Sequence, residues 1–503
     1  MRRFKFCLGI ILILILVGMS GRRTTAVYTP ETLDIGMSNN AEIGYNTAAQ
    51  TGNRYLNQYL SGGVTGSGWA TWNSNGDFAY YYIRDISQRD MVPVLTYYNI
   101  LQSSPANQQN DSEQDRVRQN LASRSIMTSY WDDVALFFAK AAQFPNATVV
   151  VHVEPDMWGF MHKMTSGDDA SQYPHTVYVG GTGIDALAGL PDTPQGYAQE
   201  WFALRTAAQA DHVQIAYHHS RWGTDSDYAY SNPDNATLLS YANRSAQFYN
   251  SLGQEFDLTF AEVRDRDAGF YQFIYGDQGA AWWNETDYSN QITYFGRFNE
   301  RTGQNIMLWQ VPFGNTVKSE VNNSWERYQD NAVQTLIGES DYTTLKAYRE
   351  AGLIGIIFGG GAFGVTQPYT DGGYYYEQLA RYYSNGALAL ESPEAAATIE
   401  VTTTYSGHPG EGATFSWTTD LEGVTEYEIW SDDTADFTVG TDCAAASNCQ
   451  SNGTATSFSP ATPASGTVIY YKIVAVAGDQ RVVSNSVLTF SFAERIYLPW
   501  SQK

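Results

Sequence analysis

Between about Leu33 and Leu390 the chain repeats one pattern, a short continuous apolar run followed by a longer amphipathic stretch. The runs are LDIGMSN (33–39), MVPVLTYYNI (91–100), ATVVVHVEP (147–155), VQIAYHHS (213–220), DLTFAEV (257–263), NIMLWQVPF (305–313) and LIGIIFGGG (353–361). Helical candidates between them are 47–60, 127–144, 196–209, 236–252, 324–338 and 374–384. A strand that is apolar at every position cannot leave one face in water, so it belongs in a parallel sheet covered on both faces by helices. The units predict an α/β fold, a (β/α) TIM-like barrel, distorted and seven-stranded. An open doubly wound sheet is the competing topology. In either case ligands bind beyond the C-terminal ends of the strands.

The pattern changes after Glu391-Ser-Pro-Glu. Residues 398–492 read as short alternating runs between Gly, Ser, Thr and Pro clusters, which predicts a small all-β sandwich of fibronectin III or immunoglobulin type. The barrel domain is expected over 30–392, and 493–503 is a short tail. At the other end MRRFKFCLGIILILILVGMSG has the basic and then apolar order of a signal peptide, expected over 1–26, with cleavage near Ala26. Its apolar run is shorter than the roughly 20 residues a bilayer span needs. The protein is therefore expected to be secreted, with cell-surface attachment open and no membrane association after cleavage. Cys7 would leave with the leader, and Cys443 and Cys449 are expected to pair as a disulfide in an oxidising compartment. A net charge of -24 repels phosphate backbones and argues against a nucleic-acid partner. The histidines and cysteines show no metal-ligand spacing, so neither a metal nor a cofactor is expected. The partner expected is a polysaccharide, and the protein a monomer.

Aromatic residues make up 14% of the chain, and flat rings with polar edges suit stacking on sugar faces. Trp158, Trp222, Trp282, Trp283 and Trp309 fall on or near the rim in this reading, as do Tyr98, Glu154, Asp156, His219, Asp265 and Asp267. The sharpest segment is VVVHVEPDMWGF (149–160), where a buried strand ends abruptly in Glu-Pro-Asp. Proline stops the ladder by removing an N–H, and leaves the two acids at the barrel mouth. Cleaving a glycosidic bond needs a carboxyl that stays protonated near neutral pH, and apolar neighbours or a second carboxylate raise a pKa in that direction.

Three successive strands resemble glycoside hydrolase family 6, the inverting cellulases and cellobiohydrolases, over residues 90–225. That family carries its proton donor as the Asp of a strand-end Glu-Pro-Asp, here Glu154-Pro155-Asp156. Upstream it has a Val-Pro-Val-x-x-x-Tyr strand, here VPVLTYY (92–98), and downstream a His-small-x-Trp strand end, here His219-Ser-Arg-Trp222. The resemblance implies Asp156 as general acid, Tyr98 against the sugar at the cleavage point, and His219 and Trp222 beside a neighbouring subsite. It implies hydrolysis of a β-linked polysaccharide, β-1,4-glucan such as cellulose first, with inversion. The chain departs from the family where Ser104 stands in place of an Asp that tunes the donor, where Phe358-Gly-Gly-Gly-Ala-Phe-Gly replaces Lys-Pro-Gly-Gly-Glu-x-Asp, and in lacking the loop disulfides.

A second carboxylate is needed, at roughly 6.5–9.5 Å for inversion or 5–5.5 Å for retention. EVRDRDAGF (262–270) offers Glu262, Asp265 and Asp267, and TDGG offers Asp371. Asp265 or Asp267 is the expected catalytic partner. Ion pairing with Arg264 and Arg266 is the structural alternative. Glu154, Trp158, Trp309 and Asp371 complete the expected substrate-binding set. GGGAFG (359–364) satisfies a dinucleotide-binding pattern but lacks a helix directly after it, so its glycines are read as allowing close backbone approach. The competing functional readings are a non-catalytic glycan-binding protein on a degenerate barrel and a retaining glycosidase of another clan.

Overall fold

The computed structural model describes residues 29–39, 42–103, 111–184, 187–224, 226–390, 399–405, 413–434, 437–440, 442–464, 467–478, 480–484 and 487–490. The expected leader, Ser104 and the tail lie outside these. Contacts divide the chain into two compact units on either side of Leu390–Glu391.

In the first unit eight parallel strands close into a barrel in chain order. They are β1 (Asp34–Ser38), β2 (Tyr55–Ser61), β3 (Val92–Tyr98), β4 (Val149–Val153), β5 (Val213–His219), β6 (Leu258–Glu262), β7 (Ile306–Val311) and β8 (Leu353–Phe358). Parallel pairing of β1 with β8 completes the ring, which excludes the open sheet. Every residue of β4, β5, β7 and β8 is buried, as strands packed on both faces require. Each fully buried Val, Leu or Ile contributes about 1.5–3 kcal/mol of transfer free energy, which is what holds the ring between its inner filling and its helices.

The strand count corrects the expectation of seven. Residues 47–60, read as one helix, are a short helix Gly44–Gln50, a turn, and β2. Tyr55, Leu56, Tyr59 and Leu60 have helical spacing, but Thr51-Gly52-Asn53 ends the helix and Asn53 Nδ2 donates back to Ala48 O at 3.1 Å. The segment 324–338 is helical only over Ala332–Leu336. Ahead of that helix Asn323 and Glu326 take φ of 63° and 60°, and Asp330 is paired with Arg264 from the neighbouring loop after β6. The other expected helices form as Arg124–Ala141, Pro194–Ala207, Asn235–Ser251 and Tyr374–Ser384. No helix among the described residues is long and apolar enough to cross a membrane.

The second unit holds two antiparallel sheets. One joins β9 (Ile399–Tyr405), β10 (Ala413–Thr419) and β13 (Ser457–Phe458). The other joins β11 (Glu426–Asp432), β12 (Cys449–Ser451), β14 (Val468–Ala477), β15 (Gln480–Val483) and β16 (Val487–Phe490). Ile399, Phe415, Trp417, Tyr427, Ile429 and Ile473 make one core between the two sheets. Cys443 and Cys449 are joined by a disulfide with Cα atoms 5.2 Å apart.

Candidate active site

The turn after β4 shapes the mouth. Glu154 N–H still donates to Tyr97 O at 2.8 Å, so the ladder runs one residue past the strand. Then Glu154 and Asp156 both take positive φ, 44° and 70°, on either side of Pro155. Non-glycine residues held there cost about 1–3 kcal/mol each, so the turn survives only because its surroundings fix it. The buried Glu154 carboxyl accepts the amides of Asn99 and Ile100 at 3.0 and 3.2 Å. Asp156 O accepts from Phe160 N at 2.9 Å as the helix Met157–Met164 begins. The turn thereby sends Glu154 back toward β3 and Asp156 into the opening. Glu154 holds the backbone and does not line the cavity, contrary to its expected substrate-binding role.

Asp156 borders a cavity of about 550 Å³ with Tyr59, Tyr98, Glu113, Glu262, Asp265 and Trp309. Burial first, and the charge of Glu113 second, push the Asp156 carboxyl up to about 6, while the Tyr98 hydroxyl, donating to Oδ2 at 3.3 Å, pulls the other way. Burial pushes Glu262 up to about 7 against the lowering effect of Arg221, and the charge of Asp156 adds to the rise. The charge of Asp156 makes that of Glu262 harder to form, so between about pH 6 and 7 the two acids together carry about one proton. Glu262 ends β6 in phase with Phe260, which stacks on His152 inside the barrel at 4.3 Å. That period of two carries Glu262 into the mouth.

The expected partners divide differently. Asp265 lines the cavity, paired with Arg266 and accepting from the Tyr271 hydroxyl. Asp267 is fully buried and accepts the amides of Gly314 and Thr366 at 3.0 and 2.8 Å, so it ties loops together and is removed from the catalytic set. Arg264 pairs with Asp330 at 2.6 Å, and Arg221 with Asp227 at 2.8 Å. Asp371 is buried and accepts the amides of Gly373 and Tyr375, both at 2.6 Å, at the start of the helix Tyr374–Ser384, so it too is structural.

The aromatic set is likewise narrowed. Trp309 is at the mouth, its Nε1 donating to Asn57 Oδ1 at 3.3 Å. Beneath it Asn57 donates to Thr96 at 2.7 Å, and His152 meets His218 at 2.9 Å, a buried polar filling whose imidazoles are held neutral by burial. Trp158 is fully buried among Tyr197, Tyr217 and Phe256, behind the sheet. His219 faces outward and stacks on Tyr294 and Phe298 of the helix Glu285–Thr302. Trp222 packs on Phe160 at 4.8 Å and under Lys163, away from the cavity. These three are corrections: alternation along fully buried strands, and the turn of the following helix, put them on the far side.

The loop GGGAFG leads to no immediate helix, since the next begins at Tyr374. A Cβ on Gly361 would lie 2.2 Å from Gln310 Nε2, and Gly364 has φ of 83° with Trp325 2.4 Å from its would-be Cβ. These glycines serve close packing at the rim.

Fold and site together define a parallel eight-stranded (β/α) barrel with a carboxylate-rich C-terminal mouth. No family model matches the chain, and no curated protein matches it. Among solved structures it is similar to a Bacteroidetes-affiliated GH5 cellulase linked with a polysaccharide utilization locus, at 11% identity over 72% of this chain and 95% of that one, TM-score 0.42. It is similar to xylanase B from Clostridium stercorarium F9 at 9% identity, covering 65% and 86%, TM-score 0.36. A GH6 enzyme from Orpinomyces sp. Y102 aligns at 12% identity, covering 69% and 96%, TM-score 0.31. Likeness at this level carries no argument about activity.

Proposed function

We propose that the protein is an exported glycoside hydrolase that cleaves a β-linked polysaccharide, with Asp156 and Glu262 as its two working carboxyls. The observation that carries this reading is that both acids face one cavity, both are pushed toward neutral pH by burial, and the charge of Asp156 raises Glu262 further. Glycosidic cleavage asks for that condition, one carboxyl protonated and one ionised at the same pH. Asp156 donates the proton to the leaving oxygen, the role the family resemblance implies. Glu262 replaces Asp265 and Asp267 as the group that activates water, Tyr98 presents its ring to the sugar, and Trp309, buried against Tyr59, His152 and His218, forms the floor beneath it. The sandwich unit, of fibronectin type on its sequence pattern, serves as a spacer.

Glu262 sits higher than Asp156, at about 7 against about 6, which favours the reverse division of labour. Leaving-group dependence separates the two: an aryl glycoside with an acidic phenol needs little protonation, so loss of the donor is forgiven and loss of the base is not. Purified protein is incubated with β-glucans, xylan and mannan beside Asp156→Asn. Reducing ends released by wild type alone support the reading, and glycan binding without release by either protein overturns it in favour of a non-catalytic binder. Inversion is the outcome the resemblance implies, and proton NMR of the first anomer formed tests it.

A further inference from the structure

Beside the acidic cavity lies a second hollow of about 380 Å³. Tyr59, on β2, and Gly361, just past β8, line both, so the two hollows adjoin along the rim that runs from β8 past β1 to β2. The Tyr59 hydroxyl accepts from Gln310 Nε2 at 2.8 Å, which fixes the ring at the boundary. On the floor of the second hollow Asn39 Nδ2 donates to Gln58 Oε1 at 2.7 Å, and Gln58 Nε2 to Tyr59 O at 3.1 Å. This amide pair is oriented before any ligand arrives, which lowers the ordering cost of binding. At the edge stand two exposed rings, Phe363, 94% exposed, and Tyr369, 46% exposed. An apolar side chain so fully in water on a Gly-rich loop has no packing role to explain it. Glu326 is the one charged group among the described residues that line the hollow.

We propose that this hollow is a subsite for an uncharged sugar residue of the same chain that Asp156 and Glu262 cleave, a reading that rests on the proposed hydrolase. Oriented amides and hydroxyls match sugar hydroxyls, and the exposed rings offer flat faces to the C–H side of a pyranose. A phosphate or nucleotide finds no cation in this hollow and meets the charge of Glu326, so the glycine-rich loop here serves sugar binding and not a dinucleotide. With Tyr59 and Gly361 common to both hollows, the substrate is an oligosaccharide that extends past the scissile bond along the β8–β1–β2 side of the mouth.

The test uses the full chain carrying Asp156→Asn, which prevents turnover, with and without Phe363→Ala or Gln58→Ala. Affinities for the disaccharide and the hexasaccharide of the cello, xylo and manno series are measured by titration calorimetry. The hexasaccharide of at least one series is expected to bind more tightly than its disaccharide, and each substitution is expected to cut that ratio about tenfold. A ratio unchanged by both substitutions, or no dependence on length in any series, overturns the subsite. Release of reducing ends by wild type with an unchanged ratio leaves the hydrolase standing without this subsite. A ratio that falls while wild type releases nothing leaves the subsite standing without the hydrolase.

Discussion

The hydroxyl of Tyr98, at the end of β3, donates to Asp156 Oδ2, just past the neighbouring β4, at 3.3 Å at the mouth of the barrel. That bond stabilises the ionised carboxylate and so opposes the burial that favours the neutral acid. Tyr98→Phe removes the opposing effect, and Asp156 then holds its proton to higher pH. With Asp156 near 6 and Glu262 near 7, wild-type kcat/KM is expected to follow a bell between those values. In Tyr98→Phe the acid-side limb, which Asp156 sets, moves upward by up to about one pH unit and the bell narrows. A pH–rate profile checks both, and an unmoved profile in the variant would mean that the bond does not bias the acid.

Glu154 is expected to act through Asp156 as a positioning residue. Burial pushes its carboxyl to about 8, so it is neutral at pH 7 and Glu154→Gln is a mild change that keeps an acceptor for the Asn99 and Ile100 amides. Glu154→Ala leaves those two buried amides unpaired and costs roughly 3 kcal/mol. With the strained turn loosened, kcat is expected to fall about 100-fold in the Ala variant and to be largely restored in the Gln variant. Thermal melts and initial rates on both variants check this. Equal kcat in wild type and a folded Ala variant would remove Glu154 from the site.

Far from the mouth, both carboxyl oxygens of Glu200 are buried without a hydrogen-bond partner among the described residues. Burial raises this group to about 8 from 4.5, so the folded protein keeps a proton that the unfolded chain gives up. The stability linked to that proton is complete below about 4.5 and is lost as pH rises toward 8. Glu200→Gln is isosteric and does not titrate. Its Tm is expected to exceed that of wild type by a few degrees at pH 8, with the gap closing at pH 4, in melts scanned across that range. A gap independent of pH would mean that Glu200 is not protonated in the fold.

Continuous apolar strands made the barrel legible, because only burial on both faces tolerates them. The strand β2 was hidden because Tyr55, Leu56, Tyr59 and Leu60 fit a helical stripe as well as a sheet. At the mouth, Glu154-Pro155-Asp156 marked the position of the acid, but which acid turns inward depends on two positive φ values that no residue type announces. Polar and apolar alternation is invisible in a strand buried throughout, so His219 gave no sign that it faces the helices while His218 faces the barrel. Glu262 stood beside Asp265 and Asp267 as a candidate in sequence, and its phase could have singled it out: it closes a strand two residues after Phe260, which faces the interior. Asp267 and Asp371 look like site acids in sequence because acids that accept loop amides also sit at strand ends.

The most direct measurement is the initial rate of reducing-end release on the best substrate of the panel by wild type, Asp156→Asn and Glu262→Gln, with melts to show that each is folded. Both variants are expected to lose at least about 100-fold in kcat, the size of a lost general acid or base. Release by either variant at the wild-type rate would contradict the assignment of these two carboxyls to the chemistry.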